Sequence, residues 1–129
     1  METAKLHKLF LECYSVSTDT RKIEKNDIFF ALKGDNFNGN IYAEIAINSG
    51  AKYAIIDEAE FNTSSQTILV DNVLEILQNL ATFHRNYLKI PIIALTGSNG
   101  KTTTKELINA VLSQKYQTTA TIGNLNNHI

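Results

Sequence analysis

Ile92-Ile93-Ala94-Leu95-Thr96-Gly97-Ser98-Asn99-Gly100-Lys101-Thr102-Thr103 is the stretch on which the fold turns. Its first half is an apolar run of strand length and its second half a loop of small residues. An amphipathic segment follows, as far as about Gln114. The pattern predicts a buried strand over 92–96, a turn, a helix over 101–114 and a short strand over 117–121. The usual phosphate-binding loop has a Gly six residues before its Lys, but here that position is Leu95 and the glycines stand at 97 and 100. The physics tolerates the change. Small residues let the N–H groups around Gly97, Ser98, Asn99 and Gly100 face one concavity, and the helix start behind them adds about half a positive charge. Lys101 is then placed for the β- and γ-phosphates of a nucleoside triphosphate, and Thr102 for Mg²⁺ through its hydroxyl. Thr103 completes the set. The competing description is a plain Gly-Ser-Asn-Gly turn with Lys101 and Thr102 solvated; the flanking strand and helix favour the phosphate site.

Working outward, Pro91 is the one proline of the chain. Proline lacks an N–H and disfavours helix in the residue before it, so Ile90-Pro91 marks a boundary between residues 1–89 and 92–129. Before it, Asp71-Asn72 caps a helix whose stripe is Val73, Ile76, Leu77, Leu80, His84 and Tyr87. Ile28–Leu32, Tyr53–Asp57 and Thr67–Val70 read as strands. Ala4–Tyr14 reads as an amphipathic helix, and Ile41–Ser49 as a second one capped by Gly50. Ser15–Arg21 is hydroxyl-rich without helical period, and Lys33–Asn40 reads as loop throughout. The fold class is therefore α/β: a small N-terminal α/β domain, then the first strand–loop–helix–strand unit of a parallel-sheet domain. Residues 92–129 are too few to finish such a domain, so the sequence is expected to be the N-terminal part of a longer chain.

Composition excludes other classes. Twelve Lys+Arg against 13 Asp+Glu in 129 residues leave no basic excess for a general nucleic-acid binder. A single cysteine rules out an internal disulfide framework and a zinc knuckle. No apolar run approaches the ~20 residues of a membrane span, and Met1–Lys8 has no signal-peptide pattern. A cytoplasmic protein is expected.

The residues also carry a resemblance. Thr96-Gly97-Ser98-Asn99-Gly100-Lys101-Thr102-Thr103 resembles the ATP-binding loop of the Mur ligases and of folylpolyglutamate synthase, which share the variant spacing. Ser17–Arg21, followed by Asp27–Asp57, is similar to the uridine-nucleotide-binding domain of Mur ligases, and Gly123–Asn127 to a segment typical of the branch that adds a dipeptide. The resemblance implies an ATP-dependent amide-bond ligase of peptidoglycan synthesis, with ATP and Mg²⁺ as cofactors. Its substrates would be a UDP-N-acetylmuramoyl-peptide and D-alanyl-D-alanine, and the parent would be a monomer. It implies that Gly97–Thr103 hold ATP, with Lys101 and Thr102 in catalytic roles and Thr102 on the metal. It puts Thr20, Arg21, Asp35, Asn36 and Phe37 near the uridine nucleotide, and Asn124, Asn126 and Asn127 near phosphates or the reacting carboxylate. The family's acidic Mg²⁺ ligand, carbamylated lysine and C-terminal domain lie beyond Ile129, which implies a catalytically incomplete chain.

Other readings remain at this point. The branch that adds a single amino acid is the nearest, set against by Gly123–Asn127. A small kinase needs an acidic residue after a second strand, and Gln117–Thr121 ends in none. A nucleotide- or UDP-sugar-binding module would use residues 1–90 alone. His84 reads as a half-buried packing residue, His7 as a surface residue of the first helix, His128 as terminal, and no pair has metal-ligand spacing. Cys13 reads as a small buried hydrophobe. Asp57, Glu58 and Glu60 read as a solvated strand end, and Lys22, Lys25 and Lys33 as surface lysines.

Overall fold

A computed structural model describes residues 1–122. They divide into two compact units, Met1–Lys89 and a second that begins at Ile90. The first unit contains helix α1 (Thr3–Phe10), strands β1 (Val16–Ser17) and β2 (Ile28–Phe30), and a hairpin of β3 (Lys33–Gly34) and β4 (Phe37–Asn38). It continues through α2 (Ala43–Asn48), β5 (Tyr53–Ile56), β6 (Thr67–Leu69) and α3 (Val73–Leu88). Strands β1, β2, β5 and β6 lie side by side in that order, all parallel, with Ile28 beside Tyr53 and Ala54 beside Thr67.

A parallel sheet is covered on both faces, so its strands read as unbroken apolar runs. The pleat then divides each run between two cores. Ile28, Phe30 and Ile55 pack with Leu6 of α1 and with Val73, Ile76, Leu77 and Leu80 of α3. Phe29, Ala54 and Ile56 pack on the other face with Ala43 and Ala46 of α2. The small residues on the second face let α2 approach closely. Asn72 accepts a hydrogen bond from the Glu75 N–H at 2.9 Å, which satisfies one orphan donor of α3. That helix ends where expected: Lys89 turns left-handed (φ 52°), two residues ahead of Pro91.

Several expectations need correction. Ser15–Arg21 contains β1, whose pairing with β2 does not depend on an apolar run. Lys33–Asn40 is not loop throughout but a short antiparallel hairpin. Helix α1 ends at Phe10 rather than Tyr14, because the chain turns at Leu11 and Tyr14 N–H pairs with Asn26 O to enter the sheet. Residues 92–96 and 117–121 are not assigned as strands, and Ile92, Ile93 and Leu95 are exposed among the described residues. An apolar run supplies propensity, but a strand exists only through a paired neighbour, and the described residues offer these segments none. Helix α4 (Lys101–Leu112) forms as read from the sequence. No helix among the described residues is long and apolar enough to cross a membrane.

His7 is not a surface residue. It is 4% exposed, with its Nε2 3.0 Å from His84 Nδ1, one ring donating to the other, and with the Phe83 and Tyr87 rings centred 4.9 Å away. Burial, aided by the neighbouring His84, lowers its pKa from the ordinary 6.5. The unfolded chain therefore binds this proton more readily than the native one. The stability contributed by neutral His7 is complete above about pH 6.5 and is lost as pH falls below it. The thermal midpoint should drop between pH 7.5 and pH 5, and His7→Phe should flatten that slope. An unchanged slope in the variant would contradict the assignment.

Candidate functional site

The first candidate site is built at the carboxyl ends of β1 and β2. Ser17, the last residue of β1, donates its hydroxyl to Asp19 O at 3.0 Å and accepts from Asp19 N–H at 3.3 Å. That fixes Asp19 as the cap of a tight 3₁₀ turn, Thr20–Lys22. The Asp19 carboxylate accepts from Arg21 N–H at 3.0 Å and from the guanidinium at 2.9 and 2.8 Å, a two-pronged contact. These hydrogen bonds from Arg21, first the side chain and then the backbone, hold the Asp19 carboxyl down at about 2. The guanidinium is thereby oriented while most of its fork still faces solvent.

Strand β2 contributes Phe29, 2% exposed, as a floor. The chain then folds into the hairpin, with Gly34 opposite Phe37 and Asp35-Asn36 as its two-residue turn. Gly39 follows, and a Cβ there would overlap the backbone of Ala31 and Leu32, so only glycine lets the return arm pass. Beyond it Tyr42 stacks on Phe37, with ring centres 5.5 Å apart and planes 14° off parallel. Thr18, Asp19, Thr20, Arg21, Phe29, Phe37 and Tyr42 line a cleft of about 530 Å³. The structure thus brings Thr20, Arg21 and Phe37 together. Asp35 and Asn36 are exposed at the hairpin tip and do not line the cleft. A flat aromatic wall facing a pre-oriented guanidinium and hydroxyls suits a planar ring joined to an anion.

Sequence reasoning missed the residues that hold this hairpin. Asp57 is not a solvated strand end: its side chain is 7% exposed, with one carboxylate oxygen 2.9 Å from Lys33 Nζ and accepting from Asn40 Nδ2 at 2.9 Å. The other oxygen accepts from Val73 N–H at 3.2 Å. Fully buried Asn40 returns its Oδ1 to Asp57 N–H at 3.0 Å, and its own N–H and Nδ2 donate to Asn38 Oδ1. Asn38 Nδ2 reaches Glu58 at 2.9 Å. Burial pushes the Asp57 carboxyl up, but the hydrogen bonds from Lys33, Asn40 and Val73 and the Lys33 charge outweigh it, and its pKa lies below the ordinary value. The signal available in the sequence was an aspartate closing a strand, which by itself does not separate a solvated carboxylate from a buried one.

The second candidate site lies in the second unit. Gly97 (φ 148°) and Gly100 (φ 74°) adopt backbone conformations that side chains disfavour, although nothing crowds a Cβ at Gly100. Helix α4 begins at Lys101 with Gly100 as a cap that offers no side chain, and its first turn holds no acidic residue. Thr104 N–H donates to Gly100 O at 2.9 Å. Among the described residues no backbone carbonyl accepts from the N–H groups of Ser98, Asn99 or Gly100. Lys101 Nζ bends back to donate to Gly97 O, which holds the ammonium over the loop. Lys105 is turned elsewhere, paired with Glu106 at 2.8 Å and with Thr121 O. Loop amides, an uncapped helix start and an ammonium are groups suited to meeting an anion. Among the described residues no group of three or more His, Cys, Asp or Glu could hold a metal alone. The Thr102 hydroxyl suits Mg²⁺ even so, because that ion takes few protein ligands and completes its shell with phosphate and water. Asn124, Asn126 and Asn127 lie outside the described residues.

The family model "Mur ligase family, catalytic domain" matches residues 12–85, and "Mur ligase middle domain" matches residues 95–129. The UDP-N-acetylmuramoyl-tripeptide–D-alanyl-D-alanine ligase of Bacillus subtilis (strain 168) is 43% identical over 118 residues, 90% of this chain and 26% of that protein. A crystal structure of MurF from Acinetobacter baumannii superposes with a TM-score of 0.78 at 29% identity, covering 98% of this chain and 30% of that one. The MurF ligase of Thermotoga maritima in complex with ADP gives a TM-score of 0.68 at 28% identity, over 81% of this chain and 24% of that one. The chain spans about a quarter of the length of the curated relatives it matches.

The Asp19–Arg21 geometry is directly measurable. The Asp19 carboxyl should titrate at about 2 by carbon-detected NMR and return toward 3.8 in Arg21→Ala. An unshifted midpoint in the unaltered chain would mean that the guanidinium is not held there.

Proposed function

The chain belongs to the Mur ligase family, and from that premise we propose that it supplies the uridine-nucleotide site and the ATP loop of a peptidoglycan-building ligase. The reaction joins D-alanyl-D-alanine to UDP-N-acetylmuramoyl-tripeptide. The observation that carries this reading is the loop ahead of α4: among the described residues no backbone carbonyl accepts from the N–H groups of Ser98, Asn99 or Gly100, a helix starts behind them, and Lys101 is held over the loop.

In the first step the terminal carboxylate of the UDP-linked peptide attacks the γ-phosphorus of ATP, and ADP leaves with its electron pair, giving an acyl phosphate. The amine of D-alanyl-D-alanine then adds to the acyl carbon. That addition makes the C–N bond; the nitrogen of the tetrahedral adduct then gives up a proton, and the adduct collapses to the amide as its C–O bond to inorganic phosphate breaks. This chain's part is to bind and orient. The loop amides and Lys101 hold the β- and γ-phosphates as charge shifts from the transferred group to the leaving oxygen. Thr102 is the residue that would hold Mg²⁺, which supplies charge neutralisation between the phosphates.

The cleft of the first unit takes the UDP end of the acceptor. The uracil ring lies against Phe37 and Tyr42, and the pyrophosphate is met by Arg21 and by the hydroxyls of Thr18 and Thr20. Residues 1–89 thus form the UDP-sugar-binding domain, and residues 92–129 open the ATP-binding domain. Asn124, Asn126 and Asn127 are assigned to the phosphates or the reacting carboxylate on resemblance alone. Asp35 and Asn36, at the exposed hairpin tip outside the cleft lining, are given no contact with the nucleotide.

Paired binding measurements test the assignment. Lys101→Ala should weaken ATP binding by about tenfold or more, since a charge-assisted phosphate contact is worth about 1.5–3 kcal/mol, and should leave UDP binding intact. Phe37→Ala combined with Arg21→Ala should do the reverse. Equal losses of both ligands in either variant, or none, would contradict two separate nucleotide sites.

A further inference from the structure

The hairpin that carries Phe37 is poorly held by its own pairing. Each arm is two residues long, and an isolated two-stranded hairpin is marginal in water. Phe37 is 51% exposed, so packing does not fix it either. What fixes the hairpin is polar. Lys33 and Asn38 are cross-strand partners, and both are tied to the end of β5: Lys33 Nζ to Asp57 at 2.9 Å and Glu58 at 3.3 Å, Asn38 Nδ2 to Glu58 at 2.9 Å. The return arm is tied a second time, because Asn38 Oδ1 accepts from the buried Asn40, whose amide is locked to Asp57. Phe37 immediately precedes Asn38 and Tyr42 lies two residues past Asn40, so the two stacked rings flank the pinned segment.

We propose that the Lys33–Asp57–Asn40–Asn38–Glu58 network is a latch that positions the Phe37–Tyr42 wall for the base of the bound nucleotide. These are positioning residues, acting through Phe37 and Tyr42, and the proposal rests on the reading of the cleft as a uridine-nucleotide site. The latch anchors on an ionised carboxylate that is nearly buried, and such a group keeps its partners in place because losing one leaves a charge uncompensated. The ring wall is therefore pre-organised before ligand arrives, and the cost of ordering an exposed aromatic falls on folding instead of binding.

The test uses the 129-residue chain and UDP as probe. Affinity is read by titration, and ring stacking by the upfield displacement of uracil H5 and H6 in the NMR spectrum. Asn38→Ala and Lys33→Met should each lower UDP affinity by about tenfold and shrink the uracil displacement, the order of loss when an aromatic ring no longer stacks on a base. Lys33→Arg, which keeps the ion pairs, should retain both signals. Cooperative thermal unfolding, followed by circular dichroism, should survive in all three; where one of the two loss variants fails to fold, the other decides. Wild-type affinity and full uracil displacement in Asn38→Ala and Lys33→Met would overturn the latch. Weaker binding in Lys33→Met alone, with uracil displacement intact, would also overturn it, by making Lys33 a simple charge contact. An unaltered chain that does not bind UDP would instead remove the nucleotide reading of the cleft, and the latch with it.

Discussion

The arrangement of the first unit depends on one nearly buried carboxylate that has to be satisfied. Asp57 stands where β5 ends, and its two oxygens reach three separate parts of the chain: the hairpin through Lys33, the following turn through Asn40 and the start of α3 through Val73 N–H. An apolar residue there would leave the α3 amide and the Asn40 side chain without these partners. Each unsatisfied buried group of that kind costs about 1–3 kcal/mol. The carboxylate therefore fixes the geometry at the carboxyl ends of the strands, which is where open parallel sheets place ligands. The cleft lined by Arg21, Phe29, Phe37 and Tyr42 is at that end.

The second unit solves a different problem with different means. On the proposed reading an anion is met by backbone, and two glycines with positive φ shape the loop for it. The helix behind them keeps its first turn free of acidic side chains, so nothing on it opposes a phosphate. Two kinds of recognition are thus kept apart in the chain. On the same reading, side-chain shape and stacking would serve the first unit, and backbone dipoles with an ammonium the second.

The sequence was most informative where one physical cause dominates. The apolar runs at Ile28–Phe30, Tyr53–Ile56 and Thr67–Leu69 gave strands because parallel sheets bury both faces. The α3 stripe, its Asn72 cap and the proline beyond it gave that helix almost to the residue. The loop around Gly97–Lys101 was legible because its glycines, lysine and helix act locally. What escaped had causes distant in sequence. Strand β1 is defined by pairing with β2, twelve residues on, and the β3–β4 hairpin by contacts to Asp57 and Glu58. His7 looked exposed because its burial comes from α3, far along the chain. The opposite error arose at residues 92–96 and 117–121, where propensity was present and the described residues offer no partner strand. Thr20, Arg21 and Phe37, which the resemblance put near a uridine nucleotide, line the cleft, whereas the place of Tyr42 there and the Asp57–Asn40 contacts needed the third dimension.

The central claim is that one chain carries two nucleotide sites in two separate units. The most direct measurement is a residue-by-residue map of backbone amide shifts on adding UDP and, separately, ATP with Mg²⁺. UDP should move the amides of Thr18–Arg21, Phe37 and Tyr42, and ATP those of Gly97–Thr103, with no residue common to both sets. If ATP leaves Ser98–Gly100 unmoved, or if the two ligands shift the same amides, the claim is contradicted.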